Sequence, residues 1–265
     1  MFYLQCMYHR ISREKRNHAA ILYHLLLSNT GNLDRFLKLL GHTSAASPEG
    51  IEIYYEYAYL KDHWYGLKKD NEAKKDHLLS LLPASLHATL RHMGPLEWNR
   101  FFAARPVPSP DRYQSPARWS PATMPHAMDK LTYGHICRIK WCFNIRPDLL
   151  LITGERRAIC IETKFDSLQT SYQEANPSYP ELEPITELQC HRYMFDHLIG
   201  PEPWQVTYAL LSKKPQETEE FQTITWQEVF EQMDASASHP FVSRWLKENR
   251  ALQIGDTAGS AARSR

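Results

Sequence analysis

Glycine is scarce in this chain, 10 of 265 residues, which excludes collagen-like and other glycine-repeat architectures. No run approaches the roughly 18 to 20 consecutive apolar residues that a bilayer-spanning helix needs. The opening residues, Met1 to Arg16, lack the apolar core and small-residue cleavage site of a secretory signal. A cytoplasmic protein with no membrane partner is the expectation. The 5 cysteines (Cys6, Cys137, Cys142, Cys160 and Cys190) are odd in number and scattered, which is not the pattern of a disulfide framework. Their spacing matches no standard zinc or iron–sulfur ligand set. None of the 13 histidines forms a His-x-x-x-His pair backed by glutamate or cysteine, so they read as surface or packing residues. A Walker-type phosphate loop is also missing, so the chain is not itself an ATP-driven motor.

What is present is a globular composition, 43% hydrophobic, with 17 prolines, 14 tyrosines and 7 tryptophans. The net charge of +1 hides a regional asymmetry. From Ala84 to Lys164 twelve basic residues face six acidic ones, whereas from Phe165 to Gln253 six basic residues face fourteen acidic. Such a division suits one surface that attracts polyanions and another that repels them.

The N-terminal third reads as helical, with Ser12 as a cap, a helix to Ser28 stopped by Asn29-Thr-Gly31, a second over Leu33–Leu40, and more helix between Lys68 and Phe102. Ile51–Tyr59 fits either a strand or a helix. Its tyrosines, with Tyr65, fit either base stacking or an aromatic core. Six prolines between Arg105 and Pro125 exclude regular structure there, leaving a long loop or arm whose arginines, with Tyr113 and Trp119, suit polyanion binding or a plain linker. Beyond it, Lys140–Thr153 and Ala158–Phe165 read as extended runs joined in a hairpin at Gly154-Glu-Arg-Arg157. A helix over Pro184–Ile199, a strand over Trp204–Leu211 and helices near Trp226–Met233 and Pro240–Asn249 follow. Residues 255–265 are small and polar and read as a disordered tail.

The chemistry-bearing segment runs from Arg146 to Lys164. Strand alternation puts Glu162 and Lys164 on one face and Thr163 on the other, at the end of an apolar run. Burying such charges costs several kcal/mol unless they are paired or bind an ion. Folding the hairpin brings Asp148 towards Glu162, and two converging carboxylates suit Mg²⁺ or Mn²⁺. The ammonium of Lys164 can then orient a water nucleophile or stabilise charge on a phosphoryl oxygen. These roles fit phosphodiester hydrolysis.

Pro147-Asp148, thirteen intervening residues and Glu162-Thr-Lys164 resemble the signature of the PD-(D/E)xK nuclease superfamily. Gln189-Cys-His-Arg-Tyr193 resembles the QxxxY motif of its RecB-like branch. The resemblance covers Lys140 to Leu211. It implies an α/β fold with a restriction-endonuclease-like three-layer α/β/α core around a central mixed sheet. To this the chain adds a helical, Pro-rich insertion over about 41–127, with the catalytic core at about 128–211 in one domain spanning 1–254.

It also implies Mg²⁺ or Mn²⁺ held by Asp148, Glu162 and the Thr163 carbonyl, catalysis aided by Lys164, Gln189 and Tyr193, and an acid from the first helix, for which Glu14 is the match. Glu14 equally suits a solvated first turn. Arg105, Arg112, Arg118 and Arg146 would grip a nucleic-acid backbone, DNA rather than RNA. Further copies of the chain or a larger nucleic-acid-processing assembly are the expected protein partners. The cysteines do not match the iron–sulfur subgroup. The rival class is a nuclease fold that has lost catalysis and binds nucleic acid or protein. A carboxylate-pair glycosidase gives no reason for Lys164 or the basic insertion.

Overall fold

The computed structural model describes residues 15–42, 50–105, 110–124, 128–165, 170–174, 176, 178–179, 182–216 and 221–248. Glu14, Ser12, Cys6 and the stretch 255–265 lie outside them. In chain order the elements begin with helices α1 (Lys15–Ser28) and α2 (Thr30–Leu39) and strand β1 (Glu52–Tyr55). Helices α3 (Tyr59–Gly66), α4 (Asn71–Leu81), α5 (Ala84–Leu90), α6 (Pro95–Phe101) and α7 (Lys130–Cys142) follow. Then come strands β2 (Leu149–Gly154), β3 (Arg157–Thr163), β4 (Ser171–Tyr172) and β5 (Ile185–Thr186) and helix α8 (Glu187–His197). Strands β6 (Gln205–Ser212) and β7 (Gln222–Thr225) and helix α9 (Trp226–Gln232) come next, and residues 240–248 are helical again, as expected. No described helix is long and apolar enough to cross a membrane.

This mixed α/β chain divides into two compact units, one drawn from Met1–Tyr57, Pro147–Leu168 and Gln205–Arg265, the other from Ala58–Arg146 and Gln169–Trp204. In the first unit a five-stranded mixed sheet has the order β1-β2-β3-β6-β7. The pairs β1/β2 and β2/β3 are antiparallel; β3/β6 and β6/β7 are parallel. Ile51–Tyr59, ambiguous in the sequence, thus supplies an edge strand. Apolar residues at helical spacing on α1 (Ala19, Leu22, Leu25, Leu26) and α2 (Leu33, Phe36, Leu37) join Leu149, Leu151, Ile159, Ile161 and Leu211 of the sheet in one core. Trp226, Val229 and Phe230 of α9 and Val242, Trp245 and Leu246 extend it. Leu150, Cys160 and Leu210, on alternate positions, are buried as well, so these strands read as continuous apolar runs.

The second unit is mostly helical. Side-chain caps start α4 (Asp70), α7 (Asp129) and α8 (Thr186). The helix α7 corrects one expectation: residues 140–142 end a helix, and the strand begins only at Leu149. Asp129 accepts the Thr132 N–H and so caps a helix whose buried Tyr133, Ile136 and Cys137 recur every three to four residues. Nor are the described residues 110–124 a free arm. Trp119 stacks on Phe102 at 4.0 Å, the buried Asn99 side chain bonds the backbone of Arg112 and Gln114, and the Tyr113 hydroxyl donates to Met93 O. The stretch read as an insertion over 41–127 contributes β1 to the first unit and α3 to α6 to the second.

Asn32 ties the helical layer of the first unit together. Fully buried, its Nδ2 donates to Leu25 O (3.0 Å) and Asp234 O (2.7 Å), while Oδ1 accepts from Asp234 N and the Arg35 guanidinium, both at 2.7 Å. Truncating it strands buried backbone groups, at about 1–3 kcal/mol each. Asn32→Ala is expected to lower the free energy of unfolding by roughly 2–4 kcal/mol in urea titrations. A loss below about 1 kcal/mol would show that the loop after α9 is held by other contacts.

Candidate functional site

The hairpin of β2 and β3 positions the candidate site. Its two-residue turn, Glu155-Arg156, lies between the paired Gly154 and Arg157, with Arg156 in the left-handed region at φ 51°. The register pairs Leu149 with Ile161, so Asp148 and Glu162 come next in line on adjacent strands. The ladder to β1 continues past its end, since Glu56 N donates to Asp148 O (3.0 Å) and Tyr57 N to Pro147 O (3.2 Å). On the other side Lys164 N donates to Leu211 O (2.7 Å), and the indole N–H of the fully buried Trp226 donates to Lys164 O (2.9 Å). The backbone under Asp148 and Lys164 is therefore fixed by neighbouring chain segments. The site stands at the carboxyl end of β3, beside the parallel β6, where open α/β sheets commonly bind ligands.

Asp148, Glu162 and Lys164 are nearly inaccessible, at 4%, 0% and 3% exposure. Lys164 Nζ lies 3.0 Å from Glu162 Oε1, so these two residues share a face, as strand alternation requires. A second ammonium, that of Lys15 at the start of α1, spans the carboxylates, 2.7 Å from Glu162 Oε1 and 3.1 Å from Asp148 Oδ2. The two carboxylates thus converge on one point. Asp148 Oδ2 also accepts from Thr163 N (2.8 Å) and Thr163 Oγ1 (2.7 Å), and among the described residues all side-chain hydrogen bonds of Asp148 fall on this oxygen. Burial, and then the neighbouring Glu162 charge, push Asp148 up to about 6; Lys15 and the Thr163 hydrogen bonds oppose that rise.

Lys15 was not among the residues singled out from the sequence. Its signal was there: Lys15, Ala19, Leu22 and Leu26 form one helical stripe, and the last three are buried, which places a lysine at the head of a core-facing row. This part of α1 is anchored by Arg16, whose Nε pairs with Glu56 (3.1 Å) and whose carbonyl accepts from the Tyr55 hydroxyl (3.1 Å). His18 is buried among Phe165, Trp226 and Trp245, with ring centroids at 4.5, 5.4 and 5.1 Å. The Thr163 side chain, assigned by alternation to the opposite face, nevertheless reaches Asp148 at the strand end.

Glu14 lies outside the described residues. Gln189 and Tyr193 fall on α8 in the second unit. There Gln189 Oε1 closes a capping box by accepting from Thr186 N (2.9 Å). Tyr193 hydrogen-bonds His135 through its hydroxyl, and the Arg138 guanidinium lies over its ring at 5.2 Å. Burial raises the Tyr193 phenol well above its ordinary value, so it acts as a neutral hydroxyl. Arg105, Arg112, Arg118 and Arg146 are all exposed, whereas Tyr113 and Trp119 are buried and unavailable for stacking. Cys137, Cys142, Cys160 and Cys190 are buried free thiols; burial pushes Cys137 and Cys190 up to about 12, which makes both inert.

The donor set suits a hard cation. Two carboxylates converge on a point that already attracts an ammonium, and Mg²⁺ commonly takes one or two carboxylates with waters and substrate oxygens completing its shell. Among the described residues no group of three or more His, Cys, Asp and Glu gathers, so nothing resembles an all-protein cage. Comparisons with family models, curated proteins and solved structures find no match to this chain.

The raised Asp148 carries a sign. A carboxyl with its folded value near 6 against an ordinary 3.8 stabilises the fold below about pH 4, and that contribution is lost as pH rises through 6. In chelator, the stability of Asp148→Asn relative to the unchanged protein is therefore expected to improve by roughly 2 kcal/mol between pH 4 and pH 7.5. A relative stability that stays flat or falls over this interval would show that Asp148 ionises without penalty.

Proposed function

We propose that this chain is a metal-dependent nuclease of the PD-(D/E)xK type, with a restriction-endonuclease-like three-layer core, acting on DNA in the cytoplasm. The observation that carries the reading is the convergence of Asp148 and Glu162 on one cation position, with Lys164 3.0 Å from Glu162. Asp148, Glu162 and the Thr163 carbonyl would hold Mg²⁺ or Mn²⁺. When bound, such an ion supplies Lewis-acid polarisation of the scissile phosphate and activation of water. Thr163 holds Asp148 in orientation through its N–H and hydroxyl. Lys164, its backbone held by Leu211 O and the Trp226 indole and its ammonium beside Glu162, would present that ammonium to charge growing on phosphate oxygens. Gln189 and Tyr193 as phosphate contacts rest on the motif resemblance alone.

A second reading, a nuclease fold that binds nucleic acid or a protein partner without cutting it, is favoured by the ammonium of Lys15 between the carboxylates. Incubation of the purified chain with single- and double-stranded DNA and RNA, with Mg²⁺, Mn²⁺ or chelator, separates the two. Metal-dependent cleavage that falls at least about 100-fold in Lys164→Ala is expected. Binding without cleavage under every condition would leave the second reading standing.

The exposed arginines bear on substrate holding. Replacing Arg105, Arg112 and Arg118 together by Ala is expected to weaken DNA binding. The salt dependence, log K against log salt, should flatten by about 0.9 for each phosphate that is no longer neutralised. An unchanged slope in fluorescence-anisotropy titrations would remove these residues from the interface.

A further inference from the structure

We infer that Lys15 is the built-in counter-cation of the Asp148–Glu162 pair and that a divalent ion enters only by displacing it. The inference rests on the metal-binding role proposed for the two carboxylates. Asp148, Glu162, Lys15 and Lys164 bring two carboxylates and two ammoniums together in one largely buried cluster. A divalent ion between the carboxylates would need Asp148 Oδ2 and Glu162 Oε1, the oxygens that Lys15 Nζ already occupies, and would crowd further positive charge into a poorly solvated place. One ammonium must leave.

The two lysines are not equivalent candidates. The Lys164 side chain is 3% exposed, and its backbone is fixed on both sides by Leu211 and Trp226. The Lys15 side chain is 26% exposed and has a path to water. Its flexible four-carbon stem allows the ammonium to swing without moving the helix. Lys15 and the metal therefore compete for Asp148 Oδ2 and Glu162 Oε1, the two oxygens the ammonium now bridges. Metal loading is thus coupled to release of a positive side chain at the edge of the site, where an anionic substrate can receive it.

The test is Mn²⁺ binding to the full chain at fixed ionic strength, by electron paramagnetic resonance of free Mn²⁺, for the unchanged protein and for Lys15→Met, Lys15→Gln and Asp148→Asn. Binding at least tenfold tighter in Lys15→Met, with a lower melting temperature in chelator, is expected, together with loss of binding in Asp148→Asn. Should Lys15→Met fail to fold, Lys15→Gln carries the same comparison. Equal or weaker Mn²⁺ affinity in the Lys15 variants overturns the competition while leaving the metal site standing. Absence of Mn²⁺ binding in every protein, or binding that survives Asp148→Asn, overturns both this inference and the metal site beneath it.

Discussion

Two carboxylates, Asp148 and Glu162, stand next to one another on adjacent strands with almost no access to water, and the surrounding structure makes that arrangement tolerable. Left alone, such a pair would take up a proton or destabilise the fold by several kcal/mol. Asp148 is indeed raised, by burial and by Glu162. Lys15, Lys164 and both donors of Thr163 offset the cost. Lys15 comes from α1, Thr163 and Lys164 from the end of β3, and behind them stand Trp226 of α9 and Leu211 of β6.

This concentration of buried charge is expensive as a purely structural device, because apolar residues of similar volume would fill the same space at no desolvation cost. It is what a site needs when its task is to hold a cation and face a phosphate. The bridging ammonium of Lys15 fits either a resting form awaiting a metal or a site that uses the lysine permanently, and these alternatives differ in whether the ammonium can be displaced. The electrostatics of four side chains, rather than the outline of the fold, therefore decide between a proposed nuclease and a binding module.

Much of the hairpin could be read from the sequence because its determinants are local. Gly154-Glu-Arg-Arg157 sets the turn, alternation sets which residues share a face, and together they bring Asp148, Glu162 and Lys164 to one place. The choice of strand over helix for Glu52–Tyr55 and the partners of Lys15 are not readable from the sequence. Both depend on long-range partners: Lys15 lies 133 positions from Asp148 and 147 from Glu162, and no spacing rule reaches so far. The end of the helix over Lys130–Cys142 reads as strand in the sequence because Trp141, Phe143 and Ile145 alternate with Lys140, Cys142, Asn144 and Arg146, a period of two that leads straight into the apolar run Leu149–Ile152. The division into two units was hidden as well, since each is assembled from separate stretches of the chain.

The most direct measurement is anomalous X-ray diffraction from crystals of the full chain soaked in Mn²⁺. A single strong peak within coordination distance of Asp148 and Glu162 oxygens, with the Lys15 ammonium moved away from them, is the predicted result. Crystals that show Lys15 still bridging the carboxylates and no Mn²⁺ beside them, at metal concentrations that saturate ordinary carboxylate sites, would contradict the metal centre and the nuclease built on it.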